Sequence, residues 1–192
     1  MGEIAGRFGT SAPEDRQPVI LPEAFEEHQG VPPTEDIARW LRRHYPSGVA
    51  VVTASSADEY SGVTVSAFSY VSLDPLLVFI ALGNESQTGD KIRESGAFGV
   101  SLLTNRHRFL ADRFAGRAPL VDRRFADVAH LTAATGSPLL AESIAWLDCR
   151  LESRMACGDH DIYIGRAEAV GHGTGDELDP LVYFDSEYHR LP

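Results

Sequence analysis

The chain is poor in the residues that build covalent or metal scaffolds. Its 192 residues include two cysteines, Cys149 and Cys157, too few for a disulfide framework or an all-cysteine zinc site, and best read as small strand or core residues. Seven histidines stand at positions 28, 44, 107, 130, 160, 172 and 189 without metal-ligand spacing, so no metal site is expected. Lysine occurs once, at Lys91. No window reaches the roughly 20 consecutive apolar residues of a membrane-crossing helix. Met1-Gly2-Glu3 lacks the basic-then-apolar order of a secretory leader, and a cytoplasmic protein with no membrane partner is the expectation. The patterns Gly-x-x-x-x-Gly-Lys-Ser/Thr, His-Glu-x-x-His and Gly-x-Ser-x-Gly are all missing, which removes the P-loop, the zinc protease helix and the hydrolase elbow. Gly171-His172-Gly173-Thr174-Gly175 imitates part of a dinucleotide fingerprint, but it lies between β-like segments and reads as a loop.

What is present is average globular material, 43% hydrophobic and 23% charged, enough for one domain with a real core. A net charge of −11 argues against a partner made of nucleic acid or anionic lipid. The charge is uneven. Residues 91–124 hold eight of the 17 basic side chains, from Lys91 and Arg93 to Arg123 and Arg124, against three acids. Such a stretch either draws small anions such as phosphates or is a solvated helix face.

Residues 1–33 carry five of the eleven prolines and six acids with little apolar periodicity, the composition of an extended arm outside the core. The domain proper then runs over residues 34–192. Thr34 caps a first helix that places Ile37, Trp40, Leu41 and His44 on one core-facing stripe and stops at Pro46. Strand patterning follows at residues 49–54, 63–70 and 76–82, with a polar turn at 58–62. Short helices are expected at 88–94, ending on Gly96, and at 105–116, capped by Asn105, with a strand at 98–103 between them. After an irregular stretch, residues 145–155 alternate: Leu147, Cys149, Leu151 and Met155 inward, Asp148, Arg150, Glu152 and Arg154 to water. A strand at 160–170 and a hairpin of 181–184 with 188–191 complete the chain. Short, turn-separated strands outnumber helices, so the expected fold is mainly β with helical insertions, a small antiparallel barrel.

Three segments carry chemistry. Thr64-Val65-Ser66-Ala67-Phe68-Ser69-Tyr70-Val71-Ser72-Leu73-Asp74-Pro75 sets hydroxyls along a strand, a polar ligand surface or an ordinary exposed face. Gly83-Asn84-Glu85-Ser86-Gln87-Thr88 leaves an apolar strand and enters a helix that carries Lys91. Free amides, hydroxyls and the helix dipole there suit a phosphate, or Ser86 and Thr88 merely cap the helix. Gly158-Asp159-His160-Asp161-Ile162-Tyr163-Ile164-Gly165 puts a histidine at a strand mouth between two carboxylates that favour its charged form.

Together with Tyr45-Pro46-Ser47-Gly48-Val49-Ala50-Val51-Val52-Thr53, Pro180-Leu181-Val182-Tyr183-Phe184 and Tyr188, these segments make residues 36–191 resemble the flavin reductase family. These are small reductase components that supply reduced flavin to two-component monooxygenases. The resemblance implies a split β-barrel of antiparallel, Greek-key type, a homodimer, and FMN or FAD bound near the subunit interface, with NADH or NADPH as hydride donor and a separate monooxygenase as partner. It implies that Thr64, Ser66 and Ala67 line the isoalloxazine edge, with Ser47 at the flavin, and that Ser72 supports the ribityl chain. Asn84, Ser86, Thr88 and Lys91 would receive the phosphate, Arg113 and Phe114 would stand at the flavin groove, and His160 would sit beside the nicotinamide as the catalytic residue. The family often has serine at Ala67, proline at Leu76 and threonine at Asp161. If Asp161 points to the nicotinamide, it disfavours the 2′-phosphate of NADPH. A pyridoxamine-phosphate-oxidase-like enzyme and a non-catalytic flavin or haem binder share the implied fold.

Overall fold

The structure is a computed structural model that describes residues 30–57, 59–118, 125, 127–174 and 178–191. The Pro-rich arm expected at 1–33 therefore lies, as far as residue 29, outside the described residues, as do Arg123 and Arg124 of the basic stretch and Gly175 of the glycine loop. Helix α1 spans Glu35–Arg43. Thr34 starts it as expected, its Oγ1 accepting from the Ile37 amide at 3.3 Å, and an i,i+4 pair joins Glu35 to Arg39. Ile37 is buried but Leu41 is 54% exposed, so a helix of two and a half turns covers only part of its apolar stripe.

From residue 43 the chain is built on strands: β1 (Ser47–Gly48), β2 (Ala50–Ser56), β3 (Glu59–Val65), β4 (Phe68–Leu73), β5 (Leu76–Gly83), β6 (Ala97–Leu102), β7 (His130–Thr132), β8 (Pro138–Leu140), β9 (Ala145–Cys157), β10 (His160–Gly171), β11 (Leu181–Phe184) and β12 (Glu187–Arg190). Helices α2 (Gln87–Ser95) and α3 (Arg108–Phe114) interrupt them. Seven strands form one antiparallel sheet in the order β3-β2-β6-β9-β10-β5-β4. Its outermost strands, β3 and β4, are consecutive in sequence and joined only by Ser66 and Ala67. Three peptide steps reach at most about 11 Å, so the sheet must curl until its two edges nearly meet. The result is a barrel with a slit, the split barrel that the resemblance implied.

Inside the curl lie Val52, Val78, Ile80, Phe98, Val100, Leu147 and Tyr163, closed from one end by Ile92 of α2. A second cluster, with Val49, Val51, Ala111, Phe114, Leu140 and Leu181, fills the space outside β2. β2 is thus buried on both faces, the reason its sequence runs Ala-Val-Val without alternation. Helix α2 is capped by Ser86 and stops on Gly96 at φ 67, as expected.

Five expectations needed correction. The hydroxyl-rich run is two strands, not one, because it crosses the slit at Ser66-Ala67, and β3 already begins at Glu59 inside the expected turn. The third helix is capped by Thr104 rather than Asn105: Asn105–His107 form a 3-10 turn, and Thr104 and His107 satisfy each other's ends. In β9, Leu147 and Cys149 face inward, with burial pushing the Cys149 thiol up to about 12. Asp148, expected in water, is fully buried, because the segment before β8 covers that face and Thr135 donates its amide, at 2.7 Å, and its hydroxyl to the carboxylate. Met155, expected inside, is 58% exposed. A bulge shifts the β9–β10 register between Ile164 and Gly165 and turns every later β9 side chain to the other face.

The terminal hairpin of β11 and β12 forms as expected, turning through Asp185 and Ser186, both at positive φ. It recruits β1, with Ser47 opposite Tyr183. The stretch read as irregular contains the small β7–β8 pair.

Candidate functional site

The slit opens into a cleft of about 530 Å³, within the range of small-molecule sites. One wall is Tyr45 to Gly48, the other Ser66 to Ser69, and Phe79 of β5 forms part of the lining. Both walls are held from behind. β1 is fixed by β11, and β11 by Arg117, which donates to Tyr183 Oη at 3.1 Å and Tyr188 Oη at 2.6 Å with its guanidinium 5.4 Å from both ring centroids. Asp112 pairs with the same arginine at 3.1 Å, and burial pushes the Tyr188 phenol up to about 12. Ala67 is fixed by its carbonyl, which accepts from the Ala81 amide at 3.1 Å.

β5 and β10 carry the cleft face onward. Phe79, Ala81 and Gly83 share one side of β5, opposite Ile164, Ile162 and His160 of β10. Gly83 is exposed and the other five are half-buried, while their alternates Val78, Ile80, Leu82 and Tyr163 lie in the core. His160 therefore stands on the same face as the cleft, two residues or about 7 Å beyond the Ala81 row. Its Nδ1 lies 2.8 Å from Asp159 Oδ1, and that contact holds the exposed Asp159 carboxyl below its ordinary range. The turn before His160 is tied to the turn before α2. The Asn84 side chain donates to the Gly158 carbonyl at 3.1 Å, and its amide to Asp159 at 3.0 Å.

Residues 41–192 match the family described as flavin reductase like domain. The chain belongs to the flavin reductase family. It is 32% identical over 193 residues, 97% of this chain and 95% of the relative, to the NADH-dependent FMN reductase AsuE2 of Streptomyces nodosus subsp. asukaensis. A second relative, the NADH-dependent flavin reductase of Rhodococcus sp, is 32% identical over 150 residues, 77% of this chain and 81% of its own. Among solved structures, BorF, the flavin reductase component of a bacterial two-component tryptophan halogenase, superposes with a TM-score of 0.72 at 31% identity, covering 81% of this chain and 98% of that one.

The residues that the flavin reductase resemblance singled out fall into three groups. Ser47, Ser66 and Ala67 meet in the cleft. Asn84, Ser86 and His160 gather at the adjoining end of β5 and β10, where Ser86 Oγ accepts from the Gly89 amide at 3.2 Å. The others stand apart from the cleft lining. Thr64 donates to the Ala111 carbonyl at 2.7 Å, Thr88 is buried with its hydroxyl 2.8 Å from that of Ser61, and Phe114 is in the core against Phe125. Ser72 lies on β4 opposite Leu77, and Arg113 is buried on α3. Lys91 lies 3.2 Å from Glu59 and lines a second cleft of about 650 Å³ with Tyr60, Gln87 and His130.

Asp161 does not flank His160 in space. Alternation along β10 sends it inward, where it is 2% exposed and bonded to Arg154, so it gives no reason to disfavour a 2′-phosphate. Sequence reading passed over Phe79 as one more apolar strand residue. Residues 76–82 are apolar without a break, so hydropathy carried no signal, and only the burial pattern separates Phe79 from Val78 and Ile80.

Proposed function

We propose that this flavin reductase transfers a hydride from NADH or NADPH to FMN or FAD and releases the reduced flavin to a separate monooxygenase. The observation that carries this is the slit: an open cleft, walled by backbone edges and small hydroxyls, that shares a sheet face with His160. A flat ring fits between walls of this make, and Ser66 and the Ala67 backbone hold its polar edge, with Ser47 across from them. Asn84 and Ser86 lie where a ribityl phosphate is received. Bound flavin supplies the electron-accepting chemistry, so the chain needs neither nucleophile nor metal. Its own work is to stack two rings and exclude water, with His160 holding the nicotinamide from the turn. Relatives named for NADH support that donor. The reading also places the protein in the cytoplasm, where its nicotinamide donor is made.

A second copy of the chain completes the assembly. Phe79, Ile162 and Ile164 form a half-buried apolar strip beside the 58% exposed Met155, and a partner subunit covers it.

Mixing the purified chain with each flavin and each nicotinamide under air tests the activity through loss of reduced-nicotinamide absorbance. Oxidation that requires added flavin is expected. Flavin binding without consumption of either nicotinamide would establish the non-catalytic binder instead.

A further inference from the structure

On the sheet face opposite His160 lies a charge network centred on the buried Asp161 carboxylate, none of whose members lines the cleft. Asp161 Oδ2 accepts from Arg154 Nε at 2.9 Å and Nη2 at 2.7 Å. The same oxygen lies 3.4 Å from the Tyr163 hydroxyl and 3.6 Å from Arg93 Nη1. Arg93 donates to the Tyr163 hydroxyl at 2.8 Å and pairs with Asp90 on its own helix. Gly89 admits this arrangement, since a Cβ there would stand 2.9 Å from the Tyr163 oxygen. One carboxylate thus joins β9, β10 and α2.

His160 itself has little to hold it. Its side chain is 44% exposed and its hydrogen-bonding neighbour Asp159 is 95% exposed. An imidazole so placed goes where its backbone goes, and that backbone adjoins Asp161. We propose that Asp161 is a positioning residue: its buried carboxylate locks the start of β10 against α2 and β9, and so sets where the His160 ring stands over the cleft face. This rests on the reading that His160 meets the nicotinamide.

The test is a double-mutant cycle on the full chain, with NADH and FMN kinetics and FMN titration. Asp161→Asn is expected to raise KM for NADH about fivefold or more, with kcat within about twofold and FMN affinity unchanged. In a His160→Ala background the same substitution is expected to add nothing, because the group it positions is gone. An equal effect in both backgrounds, or a loss of FMN affinity in step with KM, overturns the proposal in favour of a general structural role. If His160→Ala alters NADH kinetics and Asp161→Asn does not, the positioning role alone falls; if His160→Ala is silent, the reading of His160 falls with it. Should Asp161→Asn fail to fold, Arg154→Gln breaks the same pair from a side chain 44% exposed. The same KM rise, absent without His160, supports the proposal, and an unchanged KM rejects it.

Discussion

Ser86 answers to two demands at once. Its hydroxyl accepts from the Gly89 amide as the cap of α2, and it lies beside Asn84 where a flavin phosphate is proposed. Ser86→Ala is expected to cost about 1 kcal/mol of stability through the cap and to weaken FMN roughly tenfold more than riboflavin, the worth of one charge-assisted hydrogen bond. Calorimetric titration with both ligands reads the difference; equal losses would leave only the cap. At this scale the sequence was half legible. Ser47, Ser66 and Ala67 come together in one cleft because their motifs flank the strand breaks that open the slit. Phe114 and Thr88 stand apart from the cleft lining and Asp161 points away from His160, because a side chain's direction depends on which face of its element is covered, and motif spacing is silent on that. Asp159 and Asp161 flank the same histidine in sequence, yet one touches it and the other sits on the far side of the sheet.

The 3-10 turn ahead of α3 contains the clearest titrating group. The Thr104 amide donates to His107 Nδ1 at 3.2 Å, a bond that needs the neutral ring. Burial holds the His107 pKa below its ordinary 6.5, with Glu142 opposing and Arg106 adding to the effect. The unfolded chain therefore takes up this proton first as pH falls. The contribution is complete above 6.5 and is lost as the pH drops from there toward the folded value. His107→Gln keeps a capping-box acceptor without a titration. Denaturant unfolding at about pH 7.5 and 5.5 is expected to show a smaller acid loss in the variant than in the parent. Element existence was legible from period and caps: β9, β10, the terminal hairpin and α2 all stand where the sequence put them. What escaped were features set by partners distant in sequence. The bulge that turned Met155 outward answers to β10, β1 exists only because β11 lies beside it, and the burial of Asp148 answers to Thr135.

The assembled molecule leaves the Phe79, Ile162 and Ile164 strip half open beside Met155. Sedimentation is expected to give twice the monomer mass, and Ile162→Glu, which faces out of the sheet, to yield a monomer that still folds. A parent that sediments as a monomer with full flavin affinity would remove the second copy from the reading. The barrel was foreseen from strand count and its split from the family resemblance, while the place of the slit was not, since nothing in a hydroxyl-rich run announces that two sheet edges meet at Ser66 and Ala67. That meeting makes Ser66 and Ala67 a clasp. A hoop whose ends are joined by two links opens only as far as the links are long, so the aperture is gauged by chain length rather than by any side chain. Residues inserted here would leave both walls chemically intact and lengthen the ruler, at an entropic cost that grows only slowly with each added residue.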